Sequence, residues 1–286
     1  TGQRVEIDEH FWSTASNYGI ERIEFADGTN WDRAAINAHA AYRGTAGADT
    51  LNDSAFNDTF DAGAGNDNIN SAAGSDTFLY RLGDGNDWIN EEDGSTTSID
   101  TLRLVDLNAP DIRLTHVGTD LMIDILSTGQ RIEIDEHFWS TASNYGIERI
   151  EFADGTSWDR AAINAHTFYR GTAAADTLSG SAFDDNFDGG AGNDAMTGLA
   201  GSDTFAFLTP GFGNDTIADF VASGSQHDVI ELSTSLFADW AAVEAAMMDT
   251  ANGAKITLDA SNSITIAGVS KADLVANHGT DLRLMP

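Results

Sequence analysis

Residues 44–79 read GTAGADTLN DSAFNDTFD AGAGNDNIN SAAGSDTFL, four rows of nine with an aspartate at position six and an apolar residue at position eight. The aspartates are Asp49, Asp58, Asp67 and Asp76, and the apolar residues are Leu51, Phe60, Ile69 and Phe78. A second set opens at Gly171 as GTAAADTLS GSAFDDNFD GGAGNDAMT GLAGSDTFA, with Asp176, Asp185, Asp194 and Asp203 matched to Leu178, Phe187, Met196 and Phe205. A displaced row follows each set, GDGNDWI at 83–89 and GFGNDTI at 211–217, bringing Asp87 and Asp215. Six residues rich in Gly and Ala make a tight turn, because glycine tolerates positive φ and close backbone approach. The next three form a short strand whose middle side chain points inward. Two rows complete one turn of a flattened coil, so residue i lies over residue i+18. The pattern predicts an all-β chain built on a parallel β-roll, a β-solenoid.

Stacked turns of this kind gather carbonyl oxygens and aspartate carboxylates from adjacent coils around one cavity. An all-oxygen donor set at flexible spacing suits Ca²⁺, a hard cation that takes six to eight oxygens. The rows resemble the glycine-rich nonapeptide G-G-x-G-x-D-x-U-x of RTX proteins, which fold as Ca²⁺-binding parallel β-rolls. The resemblance implies that positions 2, 4 and 6 of one row and 1, 3 and 6 two rows later surround each ion. Carried onto this chain, the first site is Thr45, Gly47 and Asp49 with Ala62, Ala64 and Asp67. The second is Ser54, Phe56 and Asp58 with Ser71, Ala73 and Asp76. The later counterparts are Thr172, Ala174 and Asp176 with Gly189, Ala191 and Asp194, and Ser181, Phe183 and Asp185 with Gly198, Ala200 and Asp203. Gly63, Gly65 and Asp67 would share an ion with Asp87, as Gly190, Gly192 and Asp194 would with Asp215. Phe56, Phe183 and Ala174 depart from glycine at position four, so weaker or vacant sites are expected there.

A longer period contains the rows. Residues 1–51 and 128–178 match at an offset of 127 with five differences, and the likeness continues more loosely through 52–80 against 179–207. The chain thus reads as the end of one unit, a complete second unit and a unique tail, a fragment opening mid-pattern at Thr1. The expected division is a partial β-rich spacer at 1–43, a first roll at 44–90, a spacer at 91–170, a second roll at 171–217 and a tail at 218–286. Within the spacer, period-two alternation predicts strands at 101–107, 112–116, 121–125, 130–134 and 147–152. A helix is expected from an N-cap at Ser157, with Asn30 as the cap in the first copy. The segment resembles the haemolysin-type calcium-binding-related segment through IEFADGTSWD at 150–159, and is expected as a spacer packed on the rolls. Phe138, Trp139 and Trp158 read as core residues.

The tail resembles the C-terminal β cap and uncleaved signal read by type I secretion systems; a plain solenoid cap would look similar. It predicts a strand at 228–232, one amphipathic helix over about 234–248, a hairpin at Asn252–Gly253, a strand at 264–267, a capping box at Ser270 and Asp273, and a last strand at 281–284.

Composition narrows the function. Fourteen Lys+Arg against 46 Asp+Glu leave a formal charge of −32, with Lys255 and Lys271 the two lysines. Such a surface repels nucleic acid and anionic lipid. Without cysteine there is no disulfide, thiolate metal site or thiol nucleophile. No apolar run approaches a membrane span, which argues against membrane insertion and pore formation. DEHF at 135–138 lacks the second histidine of a zinc protease, and no GxSxG occurs. His10, His39, His116, His137, His166, His227 and His278 form no ligand-like cluster, and Glu91 and Glu92 would serve glycosidase chemistry only in a cleft. The chain therefore reads as a non-enzymatic, secreted binding and export module of a large bacterial protein, folding outside on about six Ca²⁺ ions. Its expected partners are calcium, the type I secretion machinery and a cell surface or polysaccharide, as in an adhesin or matrix protein. The alternative is the folding module of an extracellular protease, lipase or polysaccharide epimerase whose catalytic part lies upstream.

Overall fold

A computed structural model describes residues 20–33, 35–36, 40–52, 55–93, 95–139 and 145–286. Expectations for Ser54, His10, His39 and residues 1–19 lie outside them. The chain divides into two units, Thr1–Ile163 and Asn164–Pro286.

In the first unit each row contributes its three- to five-residue strand in turn to two facing sheets. Thr50–Asn52, Asn68–Ser71 and Asp87–Glu91 pair in parallel, with Leu51, Ile69 and Ile89 in register. On the other sheet Tyr42–Arg43, Thr59–Asp61, Thr77–Tyr80 and Thr101–Leu104 pair likewise, aligning Tyr42, Phe60, Phe78 and Leu102. The step of 18 residues in the nonapeptide rows is the predicted one. Position eight points inward: Phe60, Ile69 and Phe78 are buried, whereas Leu51, on the first coil, stays half-exposed. The rings of Tyr42, Phe60 and Phe78 stack at centroid separations of 5.2 and 5.3 Å. One large apolar side chain per coil thereby closes a core that is only one residue wide.

The spacer does more than pack on the roll. Thr101–Leu104 and Arg149–Glu151 extend one sheet in parallel, and Arg131–Ile134 extends the other beside Asp87–Glu91. An antiparallel hairpin, Ile112–Val117 with Asp120–Ile125, then continues from Arg131–Ile134. The expected helix starts later than Ser157. Ser157–Asp159 is a strand paired antiparallel with Arg149–Glu151, and the helix Arg160–His166 follows. Asp159 caps it, its Oδ1 accepting the Ala162 N–H at 2.9 Å. The first copy repeats this arrangement: Arg22–Glu24 pairs with Asn30–Asp32 in the same register, and Asp32 accepts the Ala35 N–H. Arg149–Glu151 has a parallel neighbour in Thr101–Leu104, whereas Arg22–Glu24 and Asn30–Asp32 form a sheet of two among the described residues. Phe138 and Trp158 pack against the core as expected; Trp139 instead stands 60% exposed.

The second unit repeats the plan. Thr167–Arg170, Asn186–Asp188, Thr204–Phe207, Val229–Ser233 and Leu282–Met285 form one parallel sheet. Thr177–Ser179, Ala195–Thr197, Asn214–Ile217 and Ser263–Ala267 form the other, which Gly253–Thr257 and Met247–Thr250 extend antiparallel. Tyr169, Phe187 and Phe205 stack at 5.0 Å steps. The tail helix is shorter than its apolar pattern, Trp240–Ala246, because Asp239 caps it by accepting the Ala242 N–H. Two further short helices, Lys271–Ala276 and His278–Asp281, follow. The capping box of Ser270 and Asp273 is present. The hairpin turn falls one residue before the predicted dipeptide, with Thr250 opposite Gly253.

Candidate metal centre

Each row ends its turn on the aspartate at position six, just before the strand, so parallel stacking brings these acids together. Asp67 Oδ1 accepts the Asp49 N–H at 2.8 Å, and Asp87 Oδ1 accepts the Asp67 N–H at 3.0 Å. Along the other edge, Asp76 accepts from Asp58 at 2.8 Å and Asp100 from Asp76 at 2.7 Å. The second unit has the same two ladders: Asp176, Asp194 and Asp215, and Asp185, Asp203 and Asp228, with N–H to carboxylate distances of 2.8 to 3.0 Å. Each bond pins one carboxylate oxygen to the coil before it; the other oxygen of Asp228 accepts the Val221 N–H at 2.8 Å.

The second oxygen of the ladder acids is the informative one. Oδ2 of Asp67, Asp100, Asp194 and Asp215 is buried without a hydrogen-bond partner. A buried, unpaired carboxylate oxygen is costly unless a cation meets it. Burial raises Asp67 and Asp194 above the ordinary carboxylate range. Burial, reinforced by the charge of the preceding aspartate, pushes Asp87 and Asp215 to about 7 and Asp100 to about 8. Asp203 is pushed to about 7 by burial and then by Asp228 and Asp185. The opening coils differ. Asp49 Oδ2 accepts the backbone N–H and hydroxyl of Thr45 at 2.6 and 2.8 Å. Asp176 and Asp185 are held in the same way by Thr172 and Ser181. The Thr172 amide and hydroxyl lower Asp176.

Backbone carbonyls complete the cradle. A methyl group on Gly65 would lie 2.8 Å from both Gly47 O and Asp67 Oδ1, so that space must stay free of a side chain. The carbonyls of Phe56, Ala174 and Phe183 face Gly74, Gly192 and Gly201 in the same way. Position four is left-handed at Gly65, Gly74, Gly192 and Gly201, where a coil lies below. Phe56, Ala174 and Phe183 stand at position four of the first two rows of their sets without a positive φ, so a side chain is tolerated while the carbonyl still faces the next coil. Of the carbonyls expected at position two, Thr172 O and Ser181 O accept the Ala191 and Ala200 N–H at 3.1 and 3.3 Å. At position one, Ala62 O, Gly189 O and Gly198 O face Gly44, Gly171 and Gly180. Gly63 and Gly190 lie against Thr45 O and Thr172 O.

An oxygen-only cradle with orphaned carboxylate oxygens fits a hard cation such as Ca²⁺. Asp100 and Asp228 are the ladder members that row counting misses. They stand 24 and 25 residues beyond Asp76 and Asp203, after insertions, but each still opens an Asp-x-apolar triplet, DTL and DVI. On the spacer, Asp120, Glu133 and Asp135 bring carboxylate oxygens within 4.8 Å of one another, but all three remain half-exposed.

Comparison with known families agrees with this geometry. The RTX calcium-binding nonapeptide repeat (4 copies) matches residues 43–78 and 170–205. The haemolysin-type calcium binding protein related domain matches 1–35 and 120–162. This is an RTX calcium-binding chain. No curated protein matches it. Among solved structures the RTX chain is similar to the extracellular lipase LipA from Serratia marcescens, at 15% identity and a TM-score of 0.30. The match covers 79% of this chain and 37% of the lipase, so the chain spans little more than a third of that protein's length. No described helix is long and apolar enough to cross a membrane.

Proposed function

We propose that the chain is the calcium-dependent folding and export module of a large secreted bacterial protein. Type I machinery would carry it across the envelope unfolded, and external Ca²⁺ would fold it. The observation that carries this reading is the set of four aspartate ladders, three of which hold buried carboxylate oxygens without partners, on Asp67, on Asp100, and on Asp194 and Asp215. The cavities exist only when coils are stacked, so ion binding and folding form one equilibrium. Extracellular modules bind Ca²⁺ at roughly 10⁻⁴–10⁻³ M, so cytosolic calcium would leave the rows loose and external calcium would close them. Thr45, Gly47 and Asp49 with Ala62, Ala64 and Asp67, and their counterparts in each stacked pair of rows, would hold the ions. About six ions would reduce the charge from −32 to about −20. The near-identity of the two copies supports membership in a tandem extracellular array, as in an adhesin or matrix protein.

Far-UV circular dichroism with and without calcium tests the folding claim; full β structure in excess chelator refutes it. Export is tested by deleting residues 260–286 in cells that carry the cognate transporter, and retention inside is expected. The deletion also removes strands Ser263–Ala267 and Leu282–Met285. Ile264→Asp, which spoils the buried core but keeps the chain end, is therefore the control and should still be exported. Efficient secretion of the truncated chain would refute the signal assignment.

A further inference from the structure

Unit one buries a second set of acids that the nonapeptide rows do not supply. The strand Asp87–Glu91 sends Asp87, Ile89 and Glu91 inward, Asp87 at one edge of the coil and Glu91 at the other. Glu91 is fully buried. Its Oε1 accepts the Asp93 N–H at 2.8 Å, and its Oε2 has no partner. Ser71, directly opposite Glu91 in the parallel register, also holds a buried, unpartnered hydroxyl. Asp100, Asp93 and Glu148 are the acids whose charges bear on Glu91, Asp100 most strongly.

The remaining groups around this pair are committed. Asp93 accepts the Ser95 N–H and the Ser98 hydroxyl. Glu148 accepts the Asp100 N–H at 2.8 Å and Arg160 Nη1 at 2.9 Å. Arg160 also donates to the carbonyls of Tyr145 and His137. Glu91 Oε2 and Asp100 Oδ2 therefore stay buried without a donor. We propose that Glu91, Asp100 and the Ser71 hydroxyl hold a hard divalent cation of the Ca²⁺ class, at a site the nonapeptide pattern does not contain. Two carboxylates and a hydroxyl are the oxygen donors such an ion prefers, and water or backbone carbonyls can fill its remaining positions. The second unit lacks the counterpart. Asp219, two residues beyond Ile217 as Glu91 is beyond Ile89, gives its two oxygens to the N–H groups of Gly198 and Leu199 at 2.9 and 2.8 Å. The proposal shares only Asp100 with the ladders and stands apart from the export reading.

The test uses the full chain, with bound calcium counted by equilibrium dialysis and metal analysis. Glu91→Gln should bind one ion fewer than the parent, while Glu92→Gln at the exposed neighbour and Asp219→Asn keep the parent's count. In chelator at pH 5, where the ion-free chain should keep its fold, Glu91→Gln should show at least as much β structure as the parent, because the amide keeps the shape of the carboxyl group. An unchanged ion count in Glu91→Gln overturns the proposal. So does a variant less folded than the parent in chelator, which would mark Glu91 as a packing residue. A parent chain that binds no calcium overturns both this site and the ladders.

Discussion

Withdrawing calcium should unfold the chain at pH 8 but much less at pH 5. Asp87 and Asp215 rise from 3.8 to about 7, Asp203 does the same, and Asp100 reaches about 8. A folded value above the unfolded one means that the folded state holds the extra proton. Ion-free stability is therefore retained near pH 4 and lost as pH rises through about 7. A shift of about three units corresponds to about 4 kcal/mol. Two such groups in one unit then approach the whole stability of an ordinary domain, about 5–15 kcal/mol. Ionised and without calcium, each ladder should be unable to stay stacked. Asp27, Asp154, Asp176, Asp259 and Asp273 have lowered values and oppose the trend only below about pH 4. Burial lowers His116 to about 4, which opposes the trend at pH 5 by about 2 kcal/mol, less than the buried aspartates together supply. With calcium present the direction reverses: the ions need ionised carboxylates, so the calcium midpoint should rise as pH falls. Circular dichroism at 218 nm (about the β minimum) and intrinsic tryptophan fluorescence, read in chelator from pH 5 to 8, check this. Equal β content at both pH values in chelator, or greater loss at pH 5, would refute the argument that buried aspartates drive the switch.

The other predictions concern single residues. Asp67→Ala and Asp194→Ala each remove a ladder carboxylate and strand the N–H of Asp49 or Asp176, a cost of about 1–3 kcal/mol beyond any lost ion, so their calcium midpoints should rise clearly in a folding titration. Glu92→Gln, at an exposed acid outside the ladders, is the control. Gly65→Ala places a methyl group against Gly47 O and Asp67 Oδ1 at a left-handed φ of 149°, and should weaken calcium-dependent folding even though no ligand is removed. Leu199, 57% exposed and at φ 74°, occupies the left-handed place that Gly63 and Gly190 fill in other rows. Leu199→Gly should raise thermal stability in calcium by about 1 kcal/mol, and a fall would contradict the strain argument.

The rows were legible because their chemistry is local. A turn that needs glycine, an acid that caps it and one inward apolar residue recur every nine positions, so the step of 18 and the aromatic stack followed directly. The ladder ends were not legible in the same way. Asp100 and Asp228 reach their partners across insertions, and the register that joins them to Asp76 and Asp203 is fixed by sheet pairing between distant segments. Helix starts misled for a different reason. Ser157 is a good cap by type, but Trp158 is drawn into a strand opposite Ile150, and Asp159 is the next residue able to cap. In the sequence Glu91 is one of two adjacent acids that only a cleft would make chemical; strand alternation sends it inward and Glu92 outward.

The strands that follow each roll carry a consequence for how calcium acts. Thr101–Leu104 hydrogen-bonds to Thr77–Tyr80, and Arg131–Ile134 to Asp87–Glu91, so the spacer's first parallel pairings use edges that the rows provide. In the second unit Val229–Ser233 pairs with Thr204–Phe207, and Ser263–Ala267 with Asn214–Ile217. These edge strands are short, and an isolated short strand has little stability of its own. Under the proposed reading the rows would therefore stack before the spacer or the tail has an edge to join, and would stack when their aspartates are neutralised. On the function proposed above, calcium bound at the nonapeptides would govern the folding of segments that contain no nonapeptide. Asp100 and Asp228 belong to those segments by sequence and to the ladders by position, accepting the N–H of Asp76 and Asp203, so that control would pass through them.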